Sequence, residues 1–451
     1  MRRLIPLAAI CGLALVSLHA QPAAPARPNI VLIITDDVGY GDFGAYGAPD
    51  IKTPNVDALA KAGTRFTDFY SNGATCTPTR AGLISGRYQQ RFALERPLSS
   101  ATSPDAALGL PVTGRSLPQL LRNGGYATGL IGKWHLGYQK ENSPLAHGFQ
   151  SFFGFKSGYI DYYQHTDGSG QPDLFENDSP VRVEGYSTDL ITRQAIKFIE
   201  DHARTPFFLD VAYNAAHWPY QDPDRPSTAI DRARHIMPYD EHTNTRAEYA
   251  KILERADQGV GQILAALDRQ GLASNTLVIF TNDNGGEWLS RNLPFFNRKN
   301  SVYEGGIRVP AVMRWPGHVP AGAVTKQVGI TMDLTATILA VAGAAVPADA
   351  KLEGMDLLPL IAKGAKPVSR QLFWRVTGSG ANERAVRDGD WKLLIDNGRF
   401  MLFDLSKDAG ERNELAASNT ALVRRLRQAI LEWEKDVDSE AKARSSTSGP
   451  R

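Results

Sequence analysis

Residues 29–37 read Asn-Ile-Val-Leu-Ile-Ile-Thr-Asp-Asp (NIVLIITDD), a short apolar, largely β-branched run that ends in two carboxylates. Such a run, apolar on both alternating faces, is the pattern of a strand buried on both sides. Three further runs repeat it: Tyr126–Ile131 (YATGLI), Pro206–Tyr213 (PFFLDVAY) and Thr276–Thr281 (TLVIFT). Amphipathic stretches that predict helices separate or follow them, at Asn55–Ala62, Ser116–Asn123, Ser187–His202, Arg246–Gln270 and Leu334–Ala342. This alternation predicts an α/β fold with a large, doubly wound, mainly parallel sheet flanked by helices. After about residue 345 the runs become short and turn-punctuated, at Leu372–Val376, Ala385–Leu394 around an Asp388-Gly389 turn, and Phe400–Leu405, before a helix at Ala421–Val437. The expected organisation is a large domain over 28–345, a small C-terminal subdomain of antiparallel sheet plus helix over 346–437, and a disordered tail at 438–451.

The two ends and the composition narrow the setting. The chain has 451 residues, 42% hydrophobic and 22% charged, as befits a well-buried globular protein. Met1-Arg2-Arg3, the apolar run Leu4–Leu18 and then His19-Ala20 read as a cleaved signal peptide over 1–20. The run is shorter than the roughly 20 residues a membrane span needs, so secretion to the periplasm or beyond is expected, with no transmembrane anchor. The 50 basic residues include Arg2 and Arg3, so without the leader 48 bases face 48 acids. No long-range positive field remains to attract nucleic acid, and none is expected as a partner. Cys11 leaves with the leader, and Cys76 then stands alone without a disulfide partner. A lone thiol in an oxidising compartment is either buried and inert or kept for chemistry.

Ligands of open parallel sheets sit beyond the carboxyl ends of the strands. Each run is followed there by a polar cluster: Asp36-Asp37, Lys133 and His135 (GKWHLG), His217 (NAAHWP), and Asp283-Asn284 (NDNGG). Three carboxylates and an amide at one sheet end would repel unless a hard cation joined them, and an all-oxygen set suits Ca²⁺ or Mg²⁺ better than Zn²⁺. Taken singly, each pair also fits a turn or a helix cap. In Cys76–Arg87 (CTPTRAGLISGR), Pro78 suits a first helical turn and Gly86 a helix stop. Cys76 then sits at a helix N-terminus with Arg80 one turn on, where an anion would meet both. Lys299 follows in RKNSVYEGGIRVP.

These segments resemble the type I, formylglycine-dependent sulfatases of the alkaline phosphatase superfamily, of the arylsulfatase and N-acetylgalactosamine-sulfatase kind, from about Pro28 to Val437. CTPTR is similar to the family's Cys-x-Pro-x-Arg signature, whose cysteine a maturation enzyme oxidises to formylglycine. ITDDVGYGDFGAYG and FTNDNGGE resemble its metal segments, and YEGGIRVP, AVRDGDWKLL and LFDLSKDAGERNEL later landmarks. The resemblance implies an alkaline phosphatase-like fold and one Ca²⁺ (Mg²⁺ the lesser fit) held by Asp36, Asp37, Asp283, Asn284 and the modified Cys76. It implies attack on sulfur by one hydroxyl of the aldehyde hydrate, with Asp283 as base. The leaving oxygen is then protonated by His217 or Lys299, and His135 draws the proton from the second hydroxyl to release sulfate. Arg80 and Lys133 would hold the hydrate. Thr79, Ser85 and Asn282 differ from the residues common in the family, and Phe296-Asn297-Arg298 stands before Lys299 where glycine is frequent.

The expected activity is hydrolysis of sulfate monoesters. A sulfated carbohydrate is favoured over a small aryl sulfate by the export signal and by Trp218 and Trp288 beside the proposed site, and the Arg87–Arg91 segment (RYQQR) is also expected to face the pocket. Two other readings fit parts of the pattern: a formylglycine phosphonate or phosphate ester hydrolase of the same fold, and an unmatured sulfated-glycan-binding protein. Binding alone requires no proton donors, which sets Lys133, His135, His217 and Lys299 against the last.

Overall fold

The computed structural model describes residues 27–226, 244–378 and 381–447, so the expected leader 1–20 lies outside the described residues. Asn29–Thr35 forms the expected strand, buried along its whole length. Its alternating side chains feed two cores, with Val31 and Ile33 on one face of the sheet and Ile30, Leu32 and Ile34 on the other. Each such side chain contributes roughly 1.5–3 kcal/mol when fully buried, which fixes the strand at the sheet centre. It pairs in parallel with Phe207–Ala212 on one side and Thr276–Asn282 on the other. Ala127–Lys133 and Ser151–Phe155 continue the parallel block. On the far side Ala311–Arg314 runs antiparallel to Thr276–Asn282, followed by Thr64–Phe66 and Ala323–Thr325, in a sheet of ten strands among the described residues.

Helices cover both faces. Pro54–Ala62, Ser187–Asp201 and Arg246–Arg269 lie over the first core, and Cys76–Ser85, Leu117–Asn123 and Thr331–Ala342 over the second. The start of Arg246–Arg269 is set by a capping box in which Thr245 accepts from Glu248 N and Glu248 returns the bond to Thr245 N at 2.8 Å.

The C-terminal part is the expected small antiparallel sheet, of four strands: Gln371–Gly378, Ala381–Asp388, Trp391–Asp396 and Arg399–Asp404. The closing helix packs Leu426, Ile430, Trp433 and Val437 against it. That helix corrects one expectation. It runs Thr420–Thr447, so 438–447 are helical rather than a disordered tail. The reason is electrostatic: Asp436 and Glu440 on this helix bind Arg91 and Arg87, and Arg444 pairs with Glu440 one turn on. Among the described residues no helix is long and apolar enough to cross a membrane.

Candidate active site

Parallel register delivers the strand ends to one edge. Thr35 pairs with Asn282, and Ile34 with both Thr281 and Ala212, so Asp36, Asp283 and the 213–217 loop leave the sheet side by side. Asn282 braces the two acidic turns by accepting from Thr35 Oγ1 at 2.8 Å and donating to Val38 O at 2.9 Å. Asp37 and His135 both adopt left-handed backbone, with φ of 58° and 53°. For residues other than glycine that costs on the order of 1 kcal/mol, a strain tolerated where it aims a side chain. Gly285 is required after Asn284, because a Cβ there would lie 1.9 Å from Gly305 O.

The Cys76–Ser85 helix presents Cys76 on its first residue and is locked in place from both sides. Thr77 Oγ1 donates to His135 O at 2.9 Å and accepts from Leu98 N at 3.2 Å, and Thr79 Oγ1 exchanges bonds with Gly73. Cys76 Sγ lies 3.7 Å from Asp36 Oδ1. Arg80 meets Asp283 at 2.9 Å and Asp36 at 4.0 Å, while Lys133, at the end of its strand, reaches Asp36 Oδ2 at 2.5 Å. Lys299 contacts Asp37 Oδ2 at 2.5 Å, His217 Nε2 at 3.3 Å and Glu287 at 3.5 Å. Asn284 Nδ2 donates to Asp37 Oδ1 at 2.7 Å.

Burial governs the electrostatics. Burial and the neighbouring Asp283 carboxylate push Asp36 well above the usual carboxylate range despite Lys133. In Asp37 burial is overcome by Lys299 and His217, which hold it low. Burial opposes the ammonium groups of Lys133 and Lys299, yet Asp36 keeps the first charged, and Asp37 with Glu287 keeps the second so. Burial drives the Cys76 thiol up and so favours its neutral form. Both histidines are pushed well below their ordinary value by burial. The acceptor Leu98 O, 2.9 Å from His135 Nε2, places the ring proton on that atom. Nδ1 is then a buried lone pair without a partner. In His217, Nδ1 faces Trp218 O at 2.6 Å, which leaves Nε2 to accept from Lys299.

Asp36, Asp37, Cys76 and His217 each offer a ligand atom within 4.8 Å of the others. Asp283 Oδ1 adjoins the same group, accepting from Asp37 N at 3.4 Å. Asn284 Oδ1 is buried with no hydrogen-bond partner, the kind of orphaned oxygen that a cation satisfies. Three carboxylates and an amide oxygen fit a hard cation. A cavity of about 490 Å³ opens onto the cluster, lined by Cys76, His135, His217 and Lys299 together with Tyr159 and Trp218.

A family model described as Sulfatase matches residues 28–344. The chain belongs to the sulfatase family. A second model, N-sulphoglucosamine sulphohydrolase, C-terminal, matches residues 293–436 of this sulfatase. The sulfatase is 36% identical to N-acetylgalactosamine-6-sulfatase of Mus musculus over 82% of this chain and 72% of that protein. To arylsulfatase A of Homo sapiens it is 32% identical, over 92% of this chain and 89% of the relative. The crystal structure of Ps i-CgsB in complex with k-i-k-neocarrahexaose superposes with a TM-score of 0.82 at 33% identity, covering 90% of this chain and 93% of that one.

In the sulfatase all ten residues singled out in the sequence converge on this strand edge, Lys299 included despite its unusual loop. Two expectations about the surroundings need correction. Arg87 and Arg91 do not line the cavity; they are bound to Glu353, Glu440 and Asp436, because the closing helix passes beside them. Trp288 lines an adjoining cleft instead. Sequence reasoning missed Glu287, the residue that ends FTNDNGGE, and Tyr159, whose ring lies 5.3 Å from His217 in a stacked arrangement. The cluster of aromatics in Tyr159–Tyr163 was the available signal for the latter.

Proposed function

We propose that the protein hydrolyses sulfate monoesters of a sulfated carbohydrate, using formylglycine formed from Cys76 and a Ca²⁺ held by Asp36, Asp37, Asp283 and Asn284. The observation that carries this is the placement of the Cys76 thiol 3.7 Å from Asp36, inside a ring of acidic and cationic groups at the floor of the cavity. Formylglycine supplies, as its hydrate, two hydroxyls on one carbon, one to attack sulfur and one through which sulfate can be expelled without a second nucleophile. The cation, when bound, would draw charge from the sulfate oxygens and from the attacking hydroxyl.

The chain's own groups do the rest. Arg80 and Lys133 hold Asp283 and Asp36 in position and add positive charge where the sulfate oxygens gather, and Asp283 so held takes the proton of the attacking hydroxyl. Lys299, kept protonated by Asp37 and Glu287, shares its proton with His217 Nε2, and this pair protonates the departing ester oxygen. His135 Nδ1, the unpartnered lone pair beside Cys76, accepts the proton of the second hydroxyl. Tyr159 and Trp218, with ring centroids 4.0 Å apart, form an aromatic wall next to His217, a surface suited to a sugar ring. Relatives named for N-acetylgalactosamine 6-sulfate, and the neighbour solved with a neocarrahexaose, support the same substrate class. In this reading residues 1–20 direct secretion, and a maturation enzyme acts on residues 76–80.

The test is peptide mass analysis of protein co-expressed with a formylglycine-generating enzyme, joined to nitrophenyl sulfate turnover. The Cys76 peptide is expected about 18 Da below cysteine, with turnover abolished by chelator and in Cys76→Ala. Full turnover by protein whose Cys76 is an intact thiol would overturn the nucleophile, and faster cleavage of nitrophenyl phosphate than of the sulfate would overturn the ester class.

A further inference from the structure

His135 can accept a proton on Nδ1 only while its ring proton stays on Nε2, and the atom that keeps it there is the backbone oxygen of Leu98, 2.9 Å away. Leu98 N donates to Thr77 Oγ1 at 3.2 Å, and Thr77 Oγ1 donates to His135 O at 2.9 Å, so Leu98 joins the Cys76 helix to the histidine. Yet Leu98 stands on a stretch without helix or strand, between Phe92 and Leu117. No ladder of backbone hydrogen bonds fixes its carbonyl, and side-chain anchors must do so.

Two anchors are present. Leu94 and Leu98 are buried in the second core. Glu95, three residues before Leu98, accepts from Nε and Nη2 of Arg375 at 2.8 and 2.7 Å, a two-bond fork that fixes direction as well as distance. Only Arg96 and Pro97 separate Glu95 from Leu98, and the proline ring holds φ, so a shift of Glu95 is passed on rather than absorbed. Arg375 lies on the first strand of the small sheet and is gripped from its other side by Asp438 at 2.7 Å and Glu434 at 3.3 Å of the closing helix. The Arg375 and Glu95 side chains are 8% and 20% exposed, so water competes weakly for the pair. Neither residue lines the reaction cavity.

We propose that Glu95 and Arg375 are positioning residues for the reaction: through this pair the C-terminal part holds Leu98 O against His135 and selects the tautomer whose free Nδ1 lies beside Cys76. The proposal rests on the role given to His135 in the sulfatase reading above. A pair that served the fold alone would change stability without moving the ring proton.

Two measurements on the full-length protein separate these cases. In matured protein, Glu95→Gln is expected to lower kcat for nitrophenyl sulfate about three- to tenfold. KM should stay within about twofold, because the binding groups are untouched. Arg375→Lys, which keeps the charge but loses the fork, should act in the same direction to a smaller extent and carries the test if Glu95→Gln is unfolded. Arg425→Gln breaks an exposed ion pair with Asp388 of the same small sheet and should leave kcat unchanged. Melting curves check that each variant is folded. The second measurement is the nitrogen-15 ring shifts of histidine-labelled protein, with the His135 signals identified by their loss in His135→Gln. The unsubstituted protein should show a single tautomer protonated on Nε2, and Glu95→Gln a mixture of the two. An unchanged kcat in folded Glu95→Gln and Arg375→Lys, or a lowered kcat with an unchanged tautomer, would overturn the proposal. The ring shifts are recorded with the Cys76 thiol intact and without turnover, so failure of the sulfatase reading and failure of the clamp are distinguishable.

Discussion

Single atoms set the sharpest expectations. Asn284 Nδ2 already donates to Asp37, while its Oδ1 is buried and unpartnered, so the side chain is oriented for a ligand that accepts electron density from oxygen. Calcium at about 100 times its dissociation constant should stabilise the protein by about 2.7 kcal/mol. Asn284→Leu should lose most of that gain, read as the calcium-induced rise in melting temperature. An equal rise in both proteins would remove Asn284 from the cation site. His147 makes a prediction about acid. Its Nε2 faces Leu110 O at 3.1 Å, its ring packs on Trp134, and burial depresses its pKa to about 4. Between the unfolded value of about 6.5 and pH 4, the unfolded chain therefore takes up a proton that the folded chain refuses. Stability is present above that window and falls as pH drops through it, by up to about 3 kcal/mol. Urea unfolding at pH 7 and pH 4.5 should show this loss, and His147→Gln should be less sensitive across the same interval. Identical slopes for the two proteins would assign the acid lability elsewhere.

At the scale of elements, the helix that carries Cys76 depends on how it ends. Gly86 caps it in the left-handed region with φ of 67°, and a Cβ there would meet Leu352 Cδ2 at 2.6 Å and Thr335 Cγ2 at 2.9 Å. Gly86→Ala should cost about 1 kcal/mol for the backbone, plus about 1–3 kcal/mol for overpacking, visible as a lower urea midpoint. No change in midpoint would mean that the packing yields freely there. This stop was legible in the sequence, as were the four central strands, because continuous β-branched runs buried on both faces leave a strong signal. Thr64–Phe66 and Ala311–Arg314 were not recognised: they are three and four residues long and gain their identity only by pairing with Thr276–Asn282 and each other. Seven of the site residues were legible for a related reason, since Asp36, Asp37, Lys133, His135, His217, Asp283 and Asn284 end or follow the strong strands, whereas Cys76 and Arg80 were marked by the CTPTR segment on its helix. Glu287 and Tyr159 reach it through loops whose course depends on tertiary contacts. The end of the last helix was misjudged because its support comes from Arg87 and Arg91, more than 300 positions away in the chain.

Across the whole molecule, the small sheet and the large domain share one buried charge cluster. Lys392 Nζ, on the third strand of the small sheet, lies 2.8 Å from Glu304 and 2.8 Å from Glu411 with all three side chains fully buried. Glu304 also accepts from Tyr70 at 2.7 Å and pairs with Arg308 at 3.0 Å, while Glu411 accepts from Glu304 N at 2.6 Å. Glu304 begins the short helix Glu304–Ile307 five residues after Lys299, so the segment that carries the proposed proton donor is fastened by a residue of the C-terminal part. The packing agrees, because Tyr70 and Val302 of the large domain share a core with Trp374 and Trp433 of the small one. Breaking a buried ion cluster from one side leaves uncompensated charge, so Lys392→Met should cost about 3–5 kcal/mol. Replacing both ends, Lys392→Met with Glu304→Gln, should cost less than the sum of the two single changes, since the carboxylate that Lys392 neutralises is then gone. Calorimetry should show one unfolding transition for the unsubstituted protein, because neither part has a core of its own at the junction. Strict additivity in the double variant, or a separate early transition for the small sheet, would mean that the two parts are fastened by apolar contact alone and that Lys392 is replaceable.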